Sequence, residues 1–384
     1  MRRRLFTIPL IICLLLLPAF GAFAEVRVDL AREEYGESFV AYPVISGMAN
    51  AFVQDSANAA IRSAVQPHLD TLALLRSGAP GTVKATAAYE LLPSSDGHDV
   101  LSVLIEHSGR LPGGRTGHGY IPLMLDLANG QPVPAQALFG DMGKARDALD
   151  HLGEQALEEA LSNYLDIYDF LPVPMESVRA DGEGLTFFYP AGGPVWLSGR
   201  AASVRFLWHE LEGALDVGEG SLLRGLGIPE KLAPAPETPE RVREAVESGM
   251  LPGLDVRLGD SVGMLEERYG LLFDPEGFPG GTAYYLEDDR FRETALVSRD
   301  EEQVSGILAA RLNLFGLITG RTAREEVRQV LGEPDAAYPL DASEARAYGL
   351  AAGETDTYRY GTNELRMHYD EAGVLSAVWL SAAE

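Results

Sequence analysis

Apolar residues recur every three or four positions in two long stretches of this chain and alternate with polar ones in many others. Over residues 48–76, Phe52, Ile61, Val65, Leu69 and Leu72 fall on one helical face. Pro67 is placed to kink or divide that helix. Over residues 142–164, Ala145, Leu149, Leu152, Ala156, Ala160 and Tyr164 form a second stripe. Strand patterns lie between and after them: 100–107 and 120–127 flank a glycine-rich turn, and 185–189 and 201–208 flank another. The order predicts an α+β fold of antiparallel sheets with packed helices in the N-terminal region, without βαβ alternation.

The stretch Ile228-Pro-Glu-Lys-Leu-Ala-Pro-Ala-Pro-Glu-Thr-Pro239 reads as a semi-extended linker. Thr238 offers an N-cap and Pro239 a first helical residue for a short helix. Beyond the linker a segment occurs twice, at Gly259-Asp-Ser261 to Tyr269-Gly270 and at Gly320-Arg-Thr322 to Leu331-Gly332. Each copy places a hydroxyl N-cap two residues after a glycine and ends a short helix at glycine. Thr322 and Glu325 have capping-box spacing. Tyrosine-rich strand patterns come after each copy, which predicts a tandem helix-on-three-stranded-sheet module. The expected organisation is a signal peptide at 1–24, two halves of an α+β region at 25–110 and 111–225, the linker at 226–238, and the tandem module at 239–384.

Residues 1–24 supply an arginine-rich start, a short apolar run and Ala22-Phe-Ala24, the three parts of a secretory signal. The chain is therefore expected outside the cytoplasm, secreted or envelope-associated, meeting the membrane only through an uncleaved leader. The single cysteine, Cys13, falls within that leader. Removing it leaves no thiol for disulfides, thiolate metal sites or nucleophilic catalysis. With 31 basic against 57 acidic residues, the net charge of −26 repels phosphate backbones and excludes nucleic acid as a partner. The same field attracts a basic protein.

Several local patterns resemble the paired extracytoplasmic domains of the anti-sigma-V factors that act as lysozyme receptors, a pair that also precedes the catalytic domain of a peptidoglycan deacetylase. These are Tyr42-Pro-Val-Ile-Ser-Gly47, then Gly113-Gly114 to His118-Gly119 with Leu125-Asp-Leu-Ala-Asn-Gly130 and Leu138-Phe139. Gly184-Leu-Thr-Phe-Phe-Tyr189 and Gly193-Pro194 to Gly199, before Val204-Arg-Phe-Leu-Trp-His-Glu-Leu211, complete the set. The resemblance covers most of residues 26–216. It implies a shared ectodomain fold and recognition of lysozyme-like proteins or cell-wall glycan. Two departures touch any ligand surface built on these turns: Arg115-Thr-Gly117 separates the glycine pair from His118, and Val195 precedes Trp196 in a longer turn. The sigma-binding segment and the deacetylase domain are both missing from the matched pattern. The tandem module is similar to small outer-membrane assembly lipoproteins and β-lactamase inhibitory proteins, which implies a protein-contacting surface without catalysis.

No Gly-x-Ser-x-Gly elbow or His-Glu-x-x-His helix occurs in the sequence. His98, His107 and His118 near adjacent strands are the candidate zinc set, and Asp166 and Asp169 or Glu287, Asp288 and Asp289 the candidate calcium donors. The histidines read as solvent-facing or capping residues and no acidic loop has EF-hand spacing, so no metal and no cofactor is expected. Trp196, in a Gly/Pro-rich turn, is the candidate aromatic contact, with Arg115 and His118 beside it in the resemblance; Trp208 and Trp379 sit in alternating strand patterns and read as buried. The reading is an exported, non-catalytic binding protein of the cell envelope. The alternatives are a carboxylate-dependent enzyme acting on wall glycan or peptide, and a structural envelope scaffold.

Overall fold

The computed structural model describes residues 26–110, 116–161, 172–190 and 201–383. The leader, Arg115, Trp196, Asp166 and Asp169 lie outside the described residues. The fold is α+β. Its first sheet has the order β1-β2-β3-β4-β5-β6, formed by β1 (Arg27–Tyr35), β2 (Ser38–Ser46), β3 (Thr82–Leu92), β4 (Val100–Arg110), β5 (Thr116–Asp126) and the short β6 (Gln131–Pro132), with α1 (Ala51–Arg76) between β2 and β3. All pairings are antiparallel except β2 with β3, where Phe39 lies opposite Lys84 and Val40 opposite Ala85 in parallel. This one βαβ crossover departs from the expected absence of such units. Parallel neighbours need a long connection, and α1 is that connection. The expected division between residues 110 and 111 falls in the connection between β4 and β5, two strands of the same sheet.

The α1 stripe is Val53, Ala57, Ile61, Val65, Leu69, Leu72 and Leu75. It packs on Val40, Ile45, Val83, Leu101, Val103 and Ile105 of the sheet, each such aliphatic side chain contributing about 1.5–3 kcal/mol on leaving water. Asn50 caps the helix by accepting from the backbone N–H groups of Phe52 and Val53, and the helix runs through Pro67 undivided. The expected member Phe52 is a correction: it is 80% exposed, and Val53 takes its place. The stripe from Ile61 extends backward in steps of four to Val53, which leaves position 52 on the solvent side. Phe52→Ser is accordingly expected to change the unfolding free energy by less than about 0.5 kcal/mol in denaturant titrations.

The second unit contains α2 (Met142–Leu161) and a three-stranded sheet of β7 (Val178–Ala180), β8 (Gly184–Phe188) and β9 (Ser203–Leu207), followed by the single turn α3 (Leu222–Gly225). Its core joins Ala145, Leu149 and Ala156 of α2 to Phe187, Phe206 and Trp208, and extends to Val100 and Met124 of the first sheet. Trp208, which opens a 3₁₀ turn just after β9 and not a strand position, is 1% exposed, and Trp379, on a strand of the third unit, is 8% exposed, so both are buried.

Residues 226–238 are not extended. Ile228 is buried in the second core, and Pro229–Leu232 form a 3₁₀ turn. Lys231 Nζ donates to the Gly182 carbonyl at 2.8 Å, and the Asn313 amide donates to the Lys231 carbonyl at 2.9 Å. The prolines restrict the backbone, and these contacts hold it against both neighbours.

The third unit contains α4 (Thr238–Glu247), α5 (Val262–Tyr269), β10 (Glu276–Phe278), β11 (Gly281–Tyr284), β12 (Thr294–Ser298), β13 (Gly306–Ala309) and the small hairpin of β14 (Asn313–Leu314) with β15 (Leu317–Ile318). Then come α6 (Arg324–Leu331), β16 (Ala336–Leu340), α7 (Ala342–Ala347), β17 (Gly353–Tyr360), β18 (Asn363–Asp370) and β19 (Leu375–Ala382). The tandem helix-on-sheet units merge into one eight-stranded sheet of order β10-β11-β12-β13-β19-β18-β17-β16, so each copy supplies one strand more than the three expected. Helices α4, α5 and α6 pack on one face over a shared core that includes Leu265, Ile307, Val327, Leu365 and Val378, and α7 lies on the other face near Trp379.

Ser261 caps α5 as expected, accepting from the Met264 N–H, and both copies end at a left-handed glycine, Gly270 and Gly332. The other two expected caps are corrections. Thr322 Oγ1 accepts from the Ile318 N–H at 2.7 Å, so α6 begins one residue later with no side-chain cap. Thr238 Oγ1 accepts from the Ala235 N–H and donates to the Phe315 carbonyl, both at 2.9 Å, and Glu237 is the cap position. Both hydroxyls bond backbone groups outside their helices in place of a helical N–H.

Candidate functional site

Side chains alternate faces along a strand, and this alternation builds a cleft where the three units meet. On the first sheet the odd positions of β4, Leu101, Val103 and Ile105, face α1, so the even positions face the second unit. Ala88 and Glu90 of β3, Leu104 and Glu106 of β4, and Tyr120 of β5 form one wall of the cleft. In the three-stranded sheet Val178, Ala180, Leu185, Phe187, Val204 and Phe206 face the core. The opposite face presents Arg179, Thr186 and Arg205, a row in register across β7, β8 and β9. The third unit closes the cleft with the turn Met250–Asp255, the end of α5 at Arg268 and Tyr269, and Asp288, Asp289 and Arg290. The volume enclosed is about 510 Å³, within the usual size of a small-molecule site.

Most charges in the cleft neutralise one another. Arg205, 3% exposed in its side chain, donates from Nη2 to Asp181 at 2.8 Å and from Nη1 to the Gly253 carbonyl at 3.4 Å. Arg290 grips Asp288 through Nε at 2.9 Å and Nη2 at 2.8 Å. Asp255 accepts from Arg268 at 2.8 Å and from the Tyr269 hydroxyl at 3.0 Å. Burial alone would push the Asp181 and Asp288 carboxyls up, but Arg205 and Arg290 beside them prevail and hold both below the usual carboxylate range. Burial pushes the Tyr269 phenol up to about 12.

Besides the buried Nε of Arg205, which has no partner, three groups are left over. Burial, with the charge of Asp181 behind it, pushes the Glu90 carboxyl up, and its Oε1 accepts from the Gly182 N–H at 3.1 Å. Burial also pushes Glu183 up, and its carboxylate has no hydrogen-bond partner among the described residues. The Nε of Arg179 is buried without a partner, and no other hydrogen bond or ion pair holds that guanidinium among the described residues. Gly253 sits where its backbone takes φ +75°, and a Cβ there would approach Glu183 Cγ to 3.0 Å. Gly253→Ala is expected to lose about 1 kcal/mol or more in thermal unfolding and to displace Glu183.

Of the candidate contact residues Trp196, Arg115 and His118, only His118 lies among those described. It stands on the cleft-facing side of β5, behind the wall: Nε2 is 2.8 Å from Glu106 Oε1, Nδ1 accepts from the Ala201 N–H at 3.2 Å, and the ring meets Tyr120 edge-on. It positions Glu106 and Tyr120, which do line the cleft. The three candidate zinc histidines do not converge. His107 faces α1 and packs against the tilted ring of His68 with ring centroids 4.4 Å apart, and His118 points to the other face. His98, just before β4, pairs with Asp126 at 3.1 Å; Asp126 lies opposite Val100, roughly 23 Å along the strand from His107 at ordinary strand rise. Asp288 and Asp289, grouped with Glu287 as candidate calcium donors, are turned to Arg290 and to the Arg205 N–H. Sequence reasoning missed Arg179, Arg205 and Glu183. The available signal was arginine alternating with apolar residues in Val204-Arg-Phe206, a charge on a strand that has a second covered face.

A second cavity of about 250 Å³ lies on the far face of the eight-stranded sheet, beneath Tyr338, Tyr348, His368 and Trp379. Phe278 stacks on Trp379 there with centroids 5.8 Å apart, and Tyr348 meets Trp379 edge-on.

No protein-family profile matches the chain, and no curated protein matches it. Among solved structures, a DUF3298 family member from Bacteroides fragilis superposes with TM-score 0.39 at 13% identity, over 53% of this chain and 98% of that one. A DUF3298 family protein from Pseudomonas aeruginosa superposes with TM-score 0.35 at 14% identity, over 50% of this chain and 93% of its own. A DUF4309 family protein from Bacillus subtilis does so with TM-score 0.27 at 14% identity, over 39% and 98%. Likenesses this distant assign neither ligand nor activity to this chain.

Proposed function

We propose that this protein is an exported, non-catalytic binding protein of the cell envelope, and that its ligand is a soluble fragment of wall glycan or peptide held in the three-unit cleft. One observation carries the reading: the cleft has the volume of a small-ligand site, and most of its charged groups are fixed by one another, which favours holding over reacting. The secretory leader and the sequence resemblance to wall-associated ectodomains support the location. The acidic surface suits a basic protein such as lysozyme as a second, salt-sensitive contact. No helix among the described residues is long and apolar enough to cross a membrane.

The carboxylate-enzyme reading is favoured by a different observation, the pair Glu90 and Glu183, both raised by burial in one cleft. Raised carboxyls are what a general acid requires. Incubating the purified protein with peptidoglycan and its soluble fragments separates the two. Retention of fragments without new products supports the binder. Released products that disappear in Glu183→Gln would establish the enzyme.

A further inference from the structure

Resting on the reading of the cleft as a ligand site, we infer that it takes a zwitterion, an amino acid or short peptide, with the ligand carboxylate on Arg179 and the ammonium between Glu90 and Glu183. The cationic side is set by the row Arg179–Thr186–Arg205. Arg205 is consumed by Asp181 and the Gly253 carbonyl, and Arg290 by Asp288. Nε is buried and unpartnered in both Arg179 and Arg205, but Arg179 alone in this group makes no hydrogen bond through any of its guanidinium nitrogens among the described residues, so its fork of N–H donors is unused. A guanidinium N–H withdrawn from water without a hydrogen bond is costly to the folded chain, and the nearby charges of Asp181 and Glu90 offset that only in part. A carboxylate laid against it in bidentate geometry removes that cost, and matches the fork better than it matches a lysine.

The anionic side argues against the other ligand classes. A phosphate or other dianion on Arg179 would sit in a cleft where carboxylates outnumber guanidiniums, with Glu90, Asp181 and Glu183 among the lining groups. A simple cation would leave Arg179 unmet. Only a ligand carrying both signs satisfies the free fork and the free carboxylates together. Glu183 has no hydrogen-bond partner among the described residues, and Glu90 accepts a single backbone N–H, so both retain acceptor capacity for an ammonium group.

The test is calorimetric titration of the purified chain with alanyl-alanine, in L and D forms, its C-terminal amide, its N-acetyl derivative and inorganic phosphate. The free dipeptide of one hand is expected to bind saturably, with the amide and the N-acetyl form at least about tenfold weaker, and phosphate not measurably. Arg179→Gln should abolish discrimination between acid and amide while leaving discrimination against the N-acetyl form. Glu183→Gln should do the reverse. Arg179→Lys, which keeps the charge without the fork, should fall between. An amide that binds as tightly as the acid, phosphate that binds in preference, or unchanged discrimination in a folded Arg179→Gln would overturn the inference. If soluble wall fragments bind while acid and amide are treated alike, the zwitterion assignment fails and the binding reading stands. If neither dipeptides nor wall fragments bind, both fail.

Discussion

Arg311→Ala is expected to lower the unfolding free energy by about 3–5 kcal/mol, the usual consequence of removing one partner of a buried ion pair. Arg311, on the third unit, is 7% exposed in its side chain and meets Glu210 of the second unit, 19% exposed, with Nε to Oε1 at 2.6 Å. Its Nη2 also donates to the Arg205 carbonyl at 2.6 Å. Burial alone would push Glu210 up, and Arg311 is what holds it down. In Arg311→Ala the carboxylate keeps the Leu207 N–H at 2.7 Å, with Arg292 at 4.0 Å. Glu210→Gln with Arg311→Met, which removes both charges, should recover much of the loss. Equilibrium denaturation of the variants checks this, and a loss below about 1 kcal/mol in Arg311→Ala contradicts it. Because this pair also fixes the backbone of β9, Arg311→Ala should weaken cleft binding as well.

Acid should remove about 3 kcal/mol of stability through His368 alone between pH 6.5 and pH 4. The ring is 6% exposed, and burial, helped by the charge of Arg366, pushes its pKa down from 6.5 to about 4. Proton counting gives the sign. Below pH 6.5 the unfolded chain takes up a proton that the folded chain refuses, so stability falls with pH until about pH 4, where both states are protonated. Nδ1 lies 2.8 Å from the Thr355 hydroxyl, which is itself fully buried, so the neutral ring has a partner. Wild type and His368→Gln should therefore have stability curves that run parallel above pH 7 and converge or cross toward pH 4. Parallel curves throughout would show that His368 titrates normally. Buried carboxylates held down by arginine, Asp356 among them, lose their contribution only at lower pH, as it falls through their folded values.

The parts of the fold written in local pattern were legible in the sequence. The α1 and α2 stripes, the β4–β5 and β8–β9 hairpins, and the tandem helix with its glycine stop depend on periodicities and turn residues within a few dozen positions. What depends on distant partners was not. The β1 strand, Arg27-Val-Asp-Leu-Ala-Arg-Glu-Glu-Tyr35, is polar and exposed, and only its hairpin with β2 makes it a strand. Strand β19 enters the middle of the eight-stranded sheet between β13 and β18, a closure that neither repeat carries alone. Residues 226–238 look like a spacer because proline dominates them, whereas their anchors, Gly182, Asn313 and Phe315, lie far away in sequence.

The cleft was hidden for the same reason. Arg179, Thr186 and Arg205 form the exposed face of a small sheet in the sequence pattern, and their meaning changes once Gly253, Asp288 and Glu90 arrive from other units to cover them. His118 stands out in the sequence through a turn motif, and the structure gives it a supporting place behind Glu106 and Tyr120. An arginine with no partner in a strand whose other face is core is a feature that composition and motif searches pass over, since it becomes unusual only after folding.

Native mass spectrometry of the purified protein with defined soluble wall fragments, sampled at once and after prolonged incubation, tests the central claim most directly. The account predicts a one-to-one complex whose bound mass is that of the intact fragment at both times, and its loss when Thr186→Trp fills the cleft between Arg179 and Arg205. A bound or released fragment of altered mass, or a complex that survives the filled cleft, would contradict it.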